Sequence, residues 1–206
     1  MKMFDPVVIA CDPWSLDLGV AIRGALELFC LRAYLVFCLE EQNVLDFLGG
    51  KIPESEYVVL CSHGLGSEGD EPPEKMKMGF FLPDKSGRER YGVEFPLTIK
   101  NIPQIVNLPG RKVLALGCAN GREPLAKAFL ESGCKAYIGA HEGVDQDSGP
   151  LFAINFFYHL LSSKRDPALK CTDQEAVERA RSIDVDFREG TRLFRYYVRR
   201  KNNEDV

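Results

Sequence analysis

Residues 57–64 read YVVLCSHG, and residues 112–121 read KVLALGCANG. Each stretch contains a short, continuous apolar run, at 57–61 and 113–116, that is followed by turn residues including glycine. This is typical of a parallel strand covered on both faces. His63 follows the first run and Cys118 follows the second. Neighbouring parallel strands lie about 4.8 Å apart, and the working sites of such sheets lie beyond their carboxyl ends. The two stretches therefore predict that His63 and Cys118 share one edge of a parallel sheet.

The rest of the chain alternates between strand and helix patterns. We expect further strands at residues 6–11, 33–38, 136–140 and 193–198, and helices from about Ser15, Val44, Pro124, Pro150 and Thr172. The run at 33–38 is also compatible with one long first helix, because no clear break occurs near Cys30. The alternation predicts an α/β fold, a three-layer sandwich with a mostly parallel central sheet, formed by a single domain over residues 1–206.

Residues 64–110 differ from this pattern, since they are rich in glycine, proline and charge. Short β-like pieces occur at 79–82 and 93–98. Long excursions of this kind are usually functional loops or hairpins. We therefore expect a loop or hairpin insertion near the active site.

The residue types at the two strand ends indicate nucleophilic catalysis. A thiol becomes a nucleophile when a nearby imidazole takes its proton, so Cys118 is the candidate nucleophile and His63 the candidate base. Gly64 has no Cβ to obstruct its N–H, which together with the Cys118 N–H forms a candidate oxyanion hole. His141, at the end of the predicted strand 136–140, is a rival base.

These motifs resemble the caspase-like cysteine peptidases of clan CD, and most closely their CHAT and separase-like branch. The resemblance rests on SHG after an apolar strand, on a second apolar strand that ends in GC, and on the segments GREPLAKAFLESGCKAYIGAHEGV and PLFAINFFYHLL. It covers roughly residues 5–165 and implies a cysteine endopeptidase that acts through a thioester. Some arginine-specific members carry aspartate two residues before the cysteine, where this chain has Leu116.

Substrate specificity is less defined by the sequence. A basic substrate side chain needs a carboxylate in its pocket. Asp12 at the end of the first strand, and Glu142 and Asp145 after the fifth, are the candidates. For each of the three, an ordinary loop acid is the interpretation that we favour.

Two other function classes remain open at this point. A catalytically inactive caspase-like module would bind protein without cleaving it. The stretch 113–121 also resembles the first glycine-rich motif of Rossmann-like methyltransferases that use S-adenosylmethionine. That motif normally follows the first core strand, whereas only 85 residues follow Gly121 here.

Composition limits the partners. A formal net charge of −4 argues against nucleic-acid binding, and no apolar stretch is long enough to predict a membrane span. The seven cysteines lie mostly in apolar runs without CxxC spacing, which favours a cytoplasmic protein and predicts neither metal nor cofactor. We expect a protein or peptide substrate, with a homodimer through the last strand or an activating partner protein as further possibilities.

Overall fold

The computed structural model describes residues 5–65, 72, 75–86, 92–165, 171–183 and 190–199, with backbone only for 163–165. This part of the chain contains nine strands: β1 (Val7–Cys11), β2 (Ala33–Phe37), β3 (Tyr57–Cys61), β4 (His63–Gly64), β5 (Lys77–Leu82), β6 (Val93–Thr98), β7 (Lys112–Ala115), β8 (Ala136–Ala140) and β9 (Phe194–Val198). It also contains six α-helices: α1 (Leu16–Leu28), α2 (Glu41–Leu48), α3 (Ile102–Ile105), α4 (Glu123–Glu131), α5 (Ser148–Arg165) and α6 (Asp173–Arg181). A 3-10 helix at Gly190–Leu193 leads into β9.

Six strands form the central sheet in the order β2-β1-β3-β7-β8-β9. All neighbours are parallel except β9, which runs antiparallel to β8. The predicted α/β fold with a mostly parallel sheet is confirmed, and the last strand lies at one edge of the sheet. The glycine-rich turn follows β7, the fourth parallel strand, and the order 2-1-3 at the start of the sheet differs from the Rossmann order. This topology does not fit the methyltransferase alternative.

Helices cover both faces of the sheet. Successive residues of each strand point to opposite faces, so Val7 and Ile9 join one buried cluster while Val8 and Ala10 join the other. The first cluster packs against α1, α5 and α6, and the second against α2, α3, α4 and β5. This is the three-layer sandwich that the sequence predicted.

The end of α1 shows why residues 33–38 are a strand rather than more helix. Cys30 adopts a left-handed backbone with φ of 62°, and the Leu31 N–H bonds back to the Leu26 carbonyl at 2.9 Å. This is the Schellman pattern that stops a helix, here without the usual glycine. Because a cysteine stands where a glycine usually ends a helix, no clear break is visible in the sequence near residue 30.

Residues 64–110 contribute more structure than a loop. β4, β5 and β6 form a small antiparallel sheet, in which the predicted pieces at 79–82 and 93–98 lie. Met78, Phe80 and Leu97 are fully buried in the second cluster. Residues 66–71, 73, 74 and 87–91 lie outside the described part of the chain. The segment is thus a hairpin that completes the core and reaches the carboxyl edge of the sheet.

The amino edge of the sheet is held by ion pairs. The Lys112 ammonium lies 2.7 Å from Glu56 and 2.6 Å from Asp173, which is in the first turn of α6. Thr172 and Glu175 form the predicted capping box of that helix. Among the described residues, no helix is long and apolar enough to cross a membrane.

Candidate active site

His63 and Cys118 leave the sheet at the same edge because β3 and β7 are paired in register, from Tyr57 with Lys112 to Leu60 with Ala115. Glycines let the two segments beyond these strands touch. A Cβ at Gly64 would overlap the carbonyl oxygen of Cys118 and lie 3.2 Å from its Cβ. A Cβ at Gly117 would lie 3.0 Å from the carbonyl carbon of His63. The backbones that carry the candidate base and nucleophile are therefore in direct contact.

The His63 imidazole is held from the β1 side. Its Nε2 lies 3.1 Å from Asp12 Oδ2 and 3.4 Å from Oδ1. The Phe81 ring stands edge-on to the imidazole, with 4.9 Å between ring centroids. Since a carboxylate only accepts hydrogen bonds, this contact assigns the proton to Nε2 and leaves Nδ1 as the basic nitrogen.

Asp12 is a buried, fully partnered carboxylate. Its Oδ1 accepts from the backbone N–H of Trp14 at 3.1 Å, and from the N–H and hydroxyl of Ser15 at 2.8 and 2.9 Å. Its Oδ2 accepts from the Phe81 N–H at 2.8 Å. Burial alone would raise the pKa of Asp12, but the hydrogen bond and charge of His63, with the Phe81 and Ser15 donors, hold it below its usual value. Asp12 is therefore a fixed anion beside His63.

This placement corrects the expectation that Asp12 lines a pocket for a basic substrate side chain. The residue is 0% exposed, and donors of the protein surround both carboxylate oxygens. A substrate cation would have to displace them. Sequence reasoning missed the pairing with His63, because the two residues lie 51 positions apart and only the strand order brings them together.

Cys118 is exposed and begins a tight turn. Its sulfur contacts the backbone of Val144, with the Val144 N–H and carbonyl oxygen each at 3.4 Å. Ala119 has φ of 54°, a left-handed conformation that costs a residue with a Cβ about 1–2 kcal/mol. The Ala119 N–H donates to the Glu142 carbonyl at 2.7 Å, which fixes the turn against the loop after β8. The strain is thus maintained by that loop.

Asn120 is a buried support that the sequence did not single out. In the amide orientation that satisfies both ends, its Nδ2 donates to the Cys118 carbonyl and its Oδ1 accepts from the Ser62 hydroxyl, each at 3.1 Å. The Tyr137 hydroxyl donates to the Asn120 carbonyl at 2.9 Å. The turn that carries the thiol is therefore anchored to both neighbouring strands.

Two backbone amides at the site have no hydrogen-bond acceptor among the described residues. The Leu65 N–H donates to the Lys77 carbonyl, so Leu65 and Lys77 are a hydrogen-bonded pair in the antiparallel ladder of β4 and β5. The next pair, Gly64 and Met78, is therefore a non-hydrogen-bonded pair. In such a pair the Gly64 N–H faces away from β5. In the described part of the chain, the Cys118 N–H has no hydrogen-bond acceptor either. These are the two donors that the sequence suggested for an oxyanion hole.

The remaining candidates lie on the other side of Cys118. His141 bonds the Leu193 carbonyl through Nδ1 at 2.6 Å and the Glu142 carboxylate through Nε2 at 3.1 Å, so both ring nitrogens are engaged away from the thiol. Asp145 is exposed, and its carbonyl accepts from Ser148 at the start of α5. Leu116 is buried and belongs to the first apolar cluster.

Most of the other cysteines are core residues. Cys11, Cys38, Cys61 and Cys134 are fully buried. Burial raises the pKa of Cys11 to about 11 and those of Cys38 and Cys134 to about 12, so these thiols stay protonated at neutral pH. Among the described residues, no cluster of His, Cys, Asp or Glu is arranged to hold a metal ion.

The fold matches solved structures at low sequence identity. The separase of the Saccharomyces cerevisiae separase–securin complex superposes with a TM-score of 0.57 and 14% identity, over 95% of this chain and 12% of that one. The Arg-specific cysteine proteinase gingipain R superposes with a TM-score of 0.54 and 13% identity, over 91% of this chain and 44% of that one. No family model matches the sequence, and no curated protein matches it either. The chain has a caspase-like α/β fold and spans only part of both of these neighbours.

Proposed function

We propose that the protein is a cysteine endopeptidase of the caspase-like kind, with Cys118 as nucleophile, His63 as base and Asp12 as the residue that orients His63. The observation that carries the proposal is the buried Asp12 carboxylate on His63 Nε2, at the same sheet edge as the exposed Cys118 thiol. The fold agrees, since gingipain R is a cysteine proteinase. The resemblance to the CHAT and separase-like branch belongs to this proposal.

The chemical steps follow from the positions of the groups. His63 Nδ1 takes the proton of the Cys118 thiol, and the sulfur attacks the carbonyl carbon of the scissile peptide bond. The N–H groups of Gly64 and Cys118 stabilise the resulting oxyanion. The intermediate collapses to a thioester as the protonated imidazole gives its proton to the leaving amine. Water then hydrolyses the thioester with His63 again as base.

Asp12 acts on this cycle through His63 alone. Its carboxylate keeps the proton on Nε2, so that Nδ1 is free to accept the proton of the thiol, and it stabilises the imidazolium that forms. The sulfur has to turn from Val144 towards His63 for the first step. Catalytic hydrogen bonds often form only when substrate is bound, so this rotation is compatible with the proposal.

The partner expectations carry over as part of the proposal. We infer a protein or peptide substrate, a cytoplasmic location, and one caspase-like domain over residues 1–206. Glu142 and Asp145, on the acyl side of Cys118, are the candidate acids for a basic substrate side chain. The separase neighbour is bound to securin, which makes an activating or inhibiting partner protein a reasonable search target, as is a homodimer through β9.

The test is cleavage of a defined peptide library by the purified protein. We expect cleavage by the wild type, a loss of about 10³-fold or more in Cys118→Ala and of about 10²–10⁴-fold in His63→Ala. Cys30→Ala is the matched control, because Cys30 is also an exposed thiol. Wild-type rates in Cys118→Ala would place the chemistry elsewhere. If the wild type cleaves no peptide and its Cys118 is no more reactive to iodoacetamide than Cys30, the result would favour the catalytically inactive caspase-like module that binds protein.

A further inference from the structure

Trp14 is the only tryptophan of the chain and is 41% exposed at the rim of the candidate site. Its ring centroid lies 6.2 Å from that of Phe81, at an interplanar angle of 61°. Phe81 in turn lies edge-on to His63 at 4.9 Å. Trp14 and Phe81, called the aromatic wall below, therefore extend outward from the imidazole.

The Asp12 carboxylate and Gly92 hold the aromatic wall in place. The Trp14 N–H is fixed by Asp12 Oδ1, and the Phe81 N–H by Asp12 Oδ2. The indole also lies on Gly92, where a Cβ would stand 2.7 Å from the indole Cη2. The same buried carboxylate thus positions both the imidazole and the two rings beside it. Rigid aromatic side chains with an exposed face are the residues that most often anchor a bound chain.

The order of elements along the sheet edge fixes which part of a substrate the wall meets. The sheet order β1-β3-β7-β8 places Trp14 and Asp12 first, then His63, then Cys118, and last the loop with Val144. His63 must protonate the leaving amine, so the leaving segment begins beside the imidazole. The acyl part bonded to sulfur then lies towards Val144, and the leaving segment runs past His63 towards Phe81 and Trp14.

We propose that the aromatic wall is a specificity subsite for an apolar or aromatic side chain on the leaving-group side of the scissile bond. The proposal rests on the proposed peptidase function. An extended chain advances about 3.3 Å per residue, and alternate side chains share a face. The 6.2 Å between the two rings matches a two-residue advance, so the first and third residues after the bond face Phe81 and Trp14.

The experiment is a mass-spectrometric cleavage profile of a mixed peptide library by wild type, Trp14→Ala and Tyr158→Ala. Tyr158 is the control, because it is an exposed aromatic on α5 that packs on Phe29 at the end of α1, near the opposite edge of the sheet. In the wild type, we expect kcat/KM to favour phenylalanine or leucine over serine about tenfold at the first or third leaving-side position. Trp14→Ala should reduce the third-position preference to about threefold or less, and Tyr158→Ala should leave the profile unchanged.

The outcomes separate the two proposals. Cleavage without an apolar preference at the third leaving-side position, or with a third-position preference that survives Trp14→Ala, overturns the aromatic wall and leaves the peptidase standing. If the wild type cleaves nothing, the peptidase proposal is judged by the reactivity of Cys118 relative to Cys30, and the wall is judged by Trp14 fluorescence. A saturable spectral change with an acetylated phenylalanine tripeptide amide, and none with its serine counterpart, then supports the wall as an apolar binding surface. Equal or absent responses overturn it.

Discussion

Replacing Asp12 by asparagine tests the central feature of the site. The substitution keeps shape and volume but removes the charge and one acceptor. An asparagine that keeps its oxygen towards Trp14 and Ser15 turns its NH₂ group towards the Phe81 N–H and His63 Nε2. The Phe81 N–H then faces a donor in the buried position. The flipped orientation is worse, because its NH₂ group faces three donors, the Trp14 N–H and the N–H and hydroxyl of Ser15.

The size of the loss follows from these contacts. A buried donor left without an acceptor costs about 1–3 kcal/mol, and hydrogen bonds to a charged acceptor are roughly twice as strong as neutral ones. We therefore expect Asp12→Asn to lower the free energy of unfolding by about 2–4 kcal/mol, a large part of the 5–15 kcal/mol typical of a domain. Without a carboxylate on Nε2 the imidazole tautomer is no longer fixed, so the proposed peptide cleavage should fall by about 10²-fold or more.

Urea unfolding at several pH values is the assay. Because the folded pKa of Asp12 is below the usual value of 3.8, its extra stability is fully present above about pH 3.8 and is lost as pH falls through the folded pKa. The stability difference between wild type and Asp12→Asn should therefore shrink below that pH. Asp46→Asn is the control, because Asp46 lies on the surface of α2 and pairs with Lys51. A difference below 1 kcal/mol at pH 7, or one that grows towards acid, would refute the reasoning.

Three further substitutions test other parts of the structure. Lys112→Met removes the cation that lies 2.6 Å from the Asp173 carboxylate and 2.7 Å from Glu56, and it leaves Asp173 with the Tyr57 hydroxyl but no positive charge, so calorimetry should show a loss of about 3–5 kcal/mol. Burial opposes the charge of Lys112, but its carboxylate partners raise its pKa above 10.5, so the wild-type advantage should disappear only as pH rises beyond that value. A loss under 1 kcal/mol contradicts this. Gly64→Ala should lower both the free energy of unfolding and the reactivity of Cys118 with iodoacetamide, because the added Cβ overlaps the Cys118 carbonyl oxygen. Gly24→Ala is the control: it has open space around it and should stabilise the protein by about 0.5–1 kcal/mol. Equal effects of the two substitutions would exclude the overlap. Ala119→Gly releases the strain of a left-handed alanine with φ of 54° and should raise the thermal unfolding midpoint slightly. The strain of about 1–2 kcal/mol exceeds the stability lost because glycine adds entropy to the unfolded chain. A lower midpoint would argue against stored strain.

The sheet could be predicted from the sequence because its strands are buried on both faces. Continuous apolar runs such as 57–61 and 112–116 do not depend on knowing their neighbours. Once parallel pairing is assumed, their carboxyl ends share an edge, and the placement of His63 and Cys118 follows. What the runs do not contain is the order of the strands.

The missing strand order explains why the sequence does not pair Asp12 with His63. Its role depends on β1 lying beside β3, and on β5 folding across the carboxyl edge so that the Phe81 N–H reaches the carboxylate. β5 lies in a segment whose composition predicts a loop or hairpin, with a β-like piece at 79–82. Buried Phe80 and partly exposed Phe81 alternate along that strand. The local pattern therefore indicates the strand, but not that it crosses the carboxyl edge of the sheet to reach Asp12.

The two edges of the sheet divide stability from chemistry. At the amino edge, Lys112 joins β7 to α6 through a buried ion pair that makes no contact with His63 or Cys118. At the carboxyl edge, Ala119 has a left-handed backbone and Trp14 is exposed, and neither feature stabilises the fold. Asp12 differs from both, because one carboxylate anchors the backbone of β5 and orients the imidazole. A Lys112 variant should therefore lose stability while the folded protein keeps its thiol reactivity, whereas an Asp12 variant should lose both together. That separation is what distinguishes an orienting carboxylate from a merely structural one.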